Sequence, residues 1–153
     1  MDPSVLRSCP LFQSLPGEKL RKVADISHHR DMAAGEVIFR EGDSGDEMYL
    51  VLSGKVRISK SLEGVGEEAL TILEPGSYFG EMALIDDSPR SADARAHSAC
   101  ALGTIKREDL DQLMFVDKDL AYDLLWNFVR TMAVRLRETN EKIKAFFALS
   151  KFK

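Results

Sequence analysis

From Ile26 to about Lys106 the chain alternates short apolar runs with polar segments that carry glycine. The runs VIF, MYLVL, VRIS and LTIL are separated by EGDSGDE, SGK and LEGVGEE, and EPGS follows the last of them. Strand-like runs about 8–12 residues apart, bounded by turn residues, predict an antiparallel sandwich or barrel. Gly35, Gly42, Gly54 and Gly76 stand at the turns, where positive φ or close backbone approach is needed. Ahead of this region, Pro10, Pro16 and Gly17 cut residues 5–25 into short helical pieces, with Leu20, Val23 and Ile26 at helical spacing.

After Ile105 the alternation stops. KREDLDQLMF predicts a short helix whose first turn carries Glu108 and Asp109, favourable near the positive end of the helix dipole. Residues 117–148 contain neither Gly nor Pro and predict one helix, roughly 48 Å long at 1.5 Å per residue. Within it Leu125, Val129, Met132, Leu136, Thr139, Ile143 and Phe146 follow alternating steps of four and three, a heptad seam. The first half of this seam is expected to pack on the chain's own β region. Beyond about Arg137 the rod outruns its domain, and a parallel homodimer is the preferred way to cover it. Thr139 is the polar exception in the seam. The expected architecture is α+β in a single domain, residues 1–153, with a helical segment over 1–25, antiparallel strands over 26–106 and helices over 107–148.

Composition narrows the function classes. With 44% hydrophobic residues and a net charge of −4, the chain is not disordered. No run reaches the ~18–20 apolar residues of a membrane-spanning helix. The start, MDPSVLRSCP, lacks a secretory pattern, so cytoplasmic residence is expected. An excess of 25 acidic over 21 basic residues argues against a nucleic-acid binder, which needs a net positive surface. Cys9 and Cys100 form no disulfide framework, and Cys100 reads as a buried inert thiol. His28, His29 and His97 lack partners at zinc spacing, so no metal is expected, and the HH pair predicts one ring in and one out.

Chemistry concentrates in residues 76–92, GSYFGEMALIDDSPRSA. GSYF ends a strand and GEMALI opens a short helix, whose free N–H groups attract an anion. Arg90 offers a planar bidentate donor to a phosphate, and Ser91, expected with Ala92 on the next strand, offers a hydroxyl. Glu81 cannot face a phosphate but can accept from a hydroxyl group. Phosphate donors beside a hydroxyl acceptor suit a sugar phosphate. An ordinary Glu81–Arg90 ion pair is the competing explanation from spacing alone.

These residues carry a resemblance. FGEMALIDDSPRSA resembles the phosphate-binding cassette of the cyclic nucleotide-binding domain family, and GEVIFREGDSGDEMYLVLSGKV resembles the entry to that family's roll. The resemblance implies an eight-stranded antiparallel β roll with short N-terminal helices and a long C-terminal dimerisation helix. It implies that Glu81 binds the ribose 2′-hydroxyl and that Arg90 and Ser91 hold the cyclic phosphate, helped by backbone groups of Gly80, Met82 and Ala92. MAVRLRETNEKIKAFF is similar to the dimerisation helix of the catabolite-activator branch of the family. There a Thr and a small polar residue reach the adenine from the two subunits, positions matched by Thr139 and Asn140, and Arg135 one turn earlier faces Glu81 or the phosphate. Asn140 replaces a Ser, and its amide can serve either purine.

Only thirteen residues follow Asn140, so no helix-turn-helix is expected here and the chain alone is not expected to read DNA. The resemblance thus implies a sensor for cyclic AMP, with cyclic GMP the second candidate. It would bind without a further cofactor, homodimerise and signal to an effector protein. Hydrolysis would need a metal cluster or a positioned base, so an enzyme is not expected. A structural dimerisation module with a vestigial pocket is the other alternative.

Overall fold

The computed structural model describes residues 1–62, 64 and 66–150. Two short helices open the chain, α1 (Pro3–Leu6) and α2 (Gly17–Asp25). Eight strands follow: β1 (Ser27–Met32), β2 (Val37–Phe39), β3 (Glu47–Ser53), β4 (Val56–Leu62), β5 (Gly66–Leu73), β6 (Tyr78–Phe79), β7 (Asp93–Ala96) and β8 (Cys100–Lys106). A 3₁₀ turn, Glu81–Leu84, lies between β6 and β7, and α3 (Arg107–Val116) and α4 (Lys118–Ser150) close the chain. The strands form two four-stranded sheets, ordered β1-β8-β3-β6 and β2-β7-β4-β5, with every pairing antiparallel. The eight-stranded α+β roll is therefore present, with both sets of flanking helices.

β3 explains the layering. Glu47 through Val51 are all buried, so both faces of this strand are covered. Tyr49 and Val51 point into the roll, with Phe79, Ala94, Ala96 and Leu102. Met48 and Leu50 point the other way, onto a helical core containing Leu6, Phe12, Leu15, Leu110, Leu120 and Leu124. The continuous apolar run MYLVL is the sequence of a strand sandwiched between these two cores. Gly54 makes the tight β3–β4 turn at φ 73°, and a Cβ there would stand 2.2 Å from the Ala99 carbonyl oxygen.

Two sequence expectations are corrected. His28 and His29 are both exposed, because β1 is an edge strand that buries only its ends, Ser27 and Met32. The first half of the heptad seam does not pack on its own chain: Leu125 is 55% exposed and Val129 58%. The packed stripe of α4 is instead Leu120, Leu124 and Phe128, at i, i+4 and i+8, set against Leu11, Phe12 and Leu15. Polar ties fix that orientation. Asn127 Nδ2 donates to the Leu11 carbonyl (2.9 Å), Lys19 pairs with Asp123 (2.6 Å) and Lys22 with Asp117 (2.8 Å). Among the described residues no helix is long and apolar enough to cross a membrane.

Candidate functional site

The cassette begins where β6 ends. Gly80 takes a left-handed conformation (φ 72°) as the N-cap of the 3₁₀ turn, which only glycine adopts without strain. Its missing side chain matters as well, since a Cβ would meet Arg90 Nη1 at 2.7 Å. After the turn, Asp86 to Ala92 run outside any helix or strand. Ser91 and Ala92 therefore lie in the loop rather than on the next strand, which starts at Asp93. The Ser88 amide donates to Asp86 Oδ1 (3.1 Å), so DDSP is a turn as its composition suggests.

Six of the eight residues expected at the site, Gly80, Glu81, Met82, Arg90, Ser91 and Ala92, line one cavity of about 420 Å³. That volume lies in the range of small-molecule sites, ~300–1,000 Å³. Phe39, Ile58 and Leu73 give it an apolar wall, and Arg135 reaches it from α4. Thr139 and Asn140 are not brought to it: both are exposed on α4, about one turn beyond Arg135.

Arg90 is 8% exposed. Nη1 donates to the Gly80 carbonyl (3.1 Å) and Nη2 to the Glu47 carbonyl (2.8 Å), while the guanidinium lies 4.3 Å from the centroid of Phe39. Its Nε is buried without a hydrogen-bond partner. Among the described residues no carboxylate lies within ion-pair distance of Arg90. The simple Glu81–Arg90 pair is thus not formed; Glu81, 3% exposed, pairs with Arg135, whose guanidinium sits 4.8 Å from the Tyr78 ring centroid. Burial pushes the Tyr78 phenol above its ordinary range.

Behind Arg90 lies a polar cluster that sequence reading missed. The Tyr49 hydroxyl donates to Glu47 Oε1 (2.6 Å), and Arg30 pairs with the same oxygen (3.1 Å). Burial, then the Glu47 carboxylate, push the Tyr49 phenol well up. Gly45 was missed too. A Cβ on Gly45 would fall 2.2 Å from Arg90 Nε, so this glycine is the space that the arginine occupies. The second glycine of EGDSGDE was the available signal for it; nothing in the sequence signalled Phe39 or Glu47. Among the described residues no group of three or more His, Cys, Asp or Glu could hold a metal ion.

The sequence profile of the cyclic nucleotide-binding domain matches residues 29–117, from β1 through the end of α3. The chain belongs to the cyclic nucleotide-binding domain family. A cyclic AMP receptor protein of Thermus thermophilus is 36% identical over 88% of this chain. A cGMP-dependent protein kinase 2 of Mus musculus is 33% identical over 97% of it. The chain spans 61% of the first relative's length and 19% of the second's. Among solved structures, the N-terminal domain of a transcriptional regulator from Streptomyces coelicolor superposes with a TM-score of 0.80 at 32% identity, covering 91% of this chain and 94% of that one.

Proposed function

We propose that this domain is a sensor that binds cyclic AMP without turning it over and passes the bound state to an effector protein. Arg90 carries the reading. A buried guanidinium without a counter-charge is costly, and a cyclic phosphate entering the cavity supplies one. Ser91 adds a hydroxyl to the phosphate, and backbone groups of Gly80, Met82 and Ala92 complete its cradle. Glu81 accepts from the ribose 2′-hydroxyl. The base lies against the apolar wall, and Thr139 and Asn140 reach it when a second copy packs in parallel along the exposed seam of α4. The Thermus relative, a cyclic AMP receptor protein, supports cyclic AMP; the mouse relative, a cGMP-dependent protein kinase, makes cyclic GMP the competing ligand. The protein acts in the cytoplasm.

The test is a calorimetric titration of cyclic AMP and cyclic GMP into the wild type and Arg90→Ala, with chromatography of the nucleotide afterwards. Charge-assisted hydrogen bonds contribute about 1.5–3 kcal/mol, so the variant should bind roughly ten- to hundredfold more weakly. Unchanged affinity in Arg90→Ala overturns the phosphate assignment, and a hydrolysed nucleotide overturns the sensor reading.

A further inference from the structure

Beyond the 3₁₀ turn the cassette has little hydrogen-bonded structure of its own, so its shape rests on ties from elsewhere. Arg90 provides one tie, to Gly80. Another comes from Arg107, the first residue of α3, which the cassette pattern does not include. Arg107 Nε donates to the Ala83 carbonyl, Nη2 to the Asp86 carbonyl and Nη1 to the Asp87 carboxylate. Ala83 and Asp86 both line the cavity. Arg107 is itself held, since its amide donates to the Asp46 carbonyl (2.7 Å). The next carbonyl, that of Glu47, is the one that receives Arg90. The adjacent carbonyls of Asp46 and Glu47 thus anchor two arginines that grip the cassette, one at Gly80 and one at residues 83–87.

A tied carbonyl does more than hold one atom. The peptide unit is planar and trans, so fixing the C=O direction also fixes the N–H that follows it. Gripping Ala83 and Asp86 therefore sets two peptide planes of the loop. The guanidinium does this with one rigid fork, whereas a lysine ammonium is a point charge on a flexible stem. The ion pair with Asp87 contributes less, because that carboxylate is 96% exposed and an exposed pair is weak.

We propose that Arg107 is a positioning residue for nucleotide binding: it preorganises residues 83–87 of the cavity wall without touching the ligand. The inference rests on the reading of the cavity as the cyclic nucleotide site. Hydrogen exchange on the wild type, Arg107→Ala and Arg107→Lys, without nucleotide, tests the positioning. Calorimetry with cyclic AMP tests its use. Amides 84–88 should exchange faster in Arg107→Ala while β8 stays protected, which also shows that the roll has folded. Affinity should fall about tenfold in Arg107→Ala and less in Arg107→Lys, the loss expected when binding must first order a loop. Unchanged exchange over 84–88 overturns the inference, as does wild-type affinity in Arg107→Ala. If Arg107→Ala unfolds, Arg107→Lys decides: wild-type exchange and affinity there overturn the need for the fork. A wild type that binds neither cyclic AMP nor cyclic GMP overturns the parent reading, and the inference with it, whatever the variants do.

Discussion

Arg135 of α4 and Glu81 of the cassette, 54 residues apart, are ion-paired at the wall of the cavity. This contact joins the long helix to the carboxylate proposed to receive the ribose. A carboxylate has about four lone-pair sites, so Glu81 can hold Arg135 and accept a hydroxyl at once.

The ribose role can be isolated with an analogue. Wild type should prefer cyclic AMP over its 2′-deoxy form by about tenfold, the worth of one hydrogen bond to a charged group. In Glu81→Ala the two ligands should bind alike. Calorimetric affinities that keep the wild-type preference in the variant contradict the assignment.

Gly45→Ala should act through Arg90. The added methyl overlaps Nε, Cζ and Nη2 of that side chain at 2.2–2.7 Å, and the ring of Phe39 and the Glu47 carbonyl restrict its escape. Overpacking of this kind costs about 1–3 kcal/mol of fold stability, and affinity for cyclic AMP should drop by at least about tenfold. Gly35→Ala is the contrast. It has open space but φ 83°, so it should lose about 1–2 kcal/mol in urea unfolding and keep wild-type affinity.

The α4 seam should be an interface between two copies. Leu136 is 63% exposed, Ile143 48% and Phe146 69%, on the part of α4 beyond its packed stripe of Leu120, Leu124 and Phe128. Sedimentation at micromolar concentration should give twice the chain mass, and Leu136→Glu should shift the protein toward monomer. A monomeric wild type, with or without cyclic AMP, refutes the dimer.

Both thiols should be silent in the native protein. Burial pushes the Cys9 thiol up to about 12, and burial also raises Cys100. A raised pKa means that the folded state favours the protonated thiol. The resulting stability is fully present below the usual thiol value of about 8.5. It is lost as pH climbs toward about 12. Ellman's reagent at pH 8 should therefore label Cys9 only in denaturant, and Cys9→Ala should flatten the alkaline fall in unfolding free energy. Rapid labelling of native Cys9 contradicts this.

What the sequence disclosed depended on how local the cause was. β3 and the long helix were legible because their patterns reflect burial of their own residues. β1 and β7 were expected as strands on weaker grounds: SHHRDM buries only its ends, DARA buries only two alanines, and each depends on the strand that pairs with it. Pairing across the chain overrides such weak local preference. The seam was read correctly as a period, and its first half wrongly as a contact with the chain's own β region. Two apolar stripes share α4, and only Leu11, Phe12 and Leu15, more than a hundred positions away, determine which of them packs. Glu81, Arg90 and Ser91 were legible through the cassette. Gly45, Glu47 and Phe39 were not, because their part is to shape the space around Arg90.

Trp126 is the only tryptophan in the chain. It is 46% exposed on α4, with the Tyr122 ring edge-on at 6.3 Å and the Arg130 guanidinium 5.8 Å from its centroid. All indole emission therefore originates on the helix that carries both Arg135 and the seam. The half-wet ring reports local polarity through its emission wavelength, and the neighbouring cation and phenol make its brightness depend on their geometry. Rotation of α4, or a second helix laid beside it, would change colour and intensity without any attached dye. The domain thus carries its own optical gauge on α4.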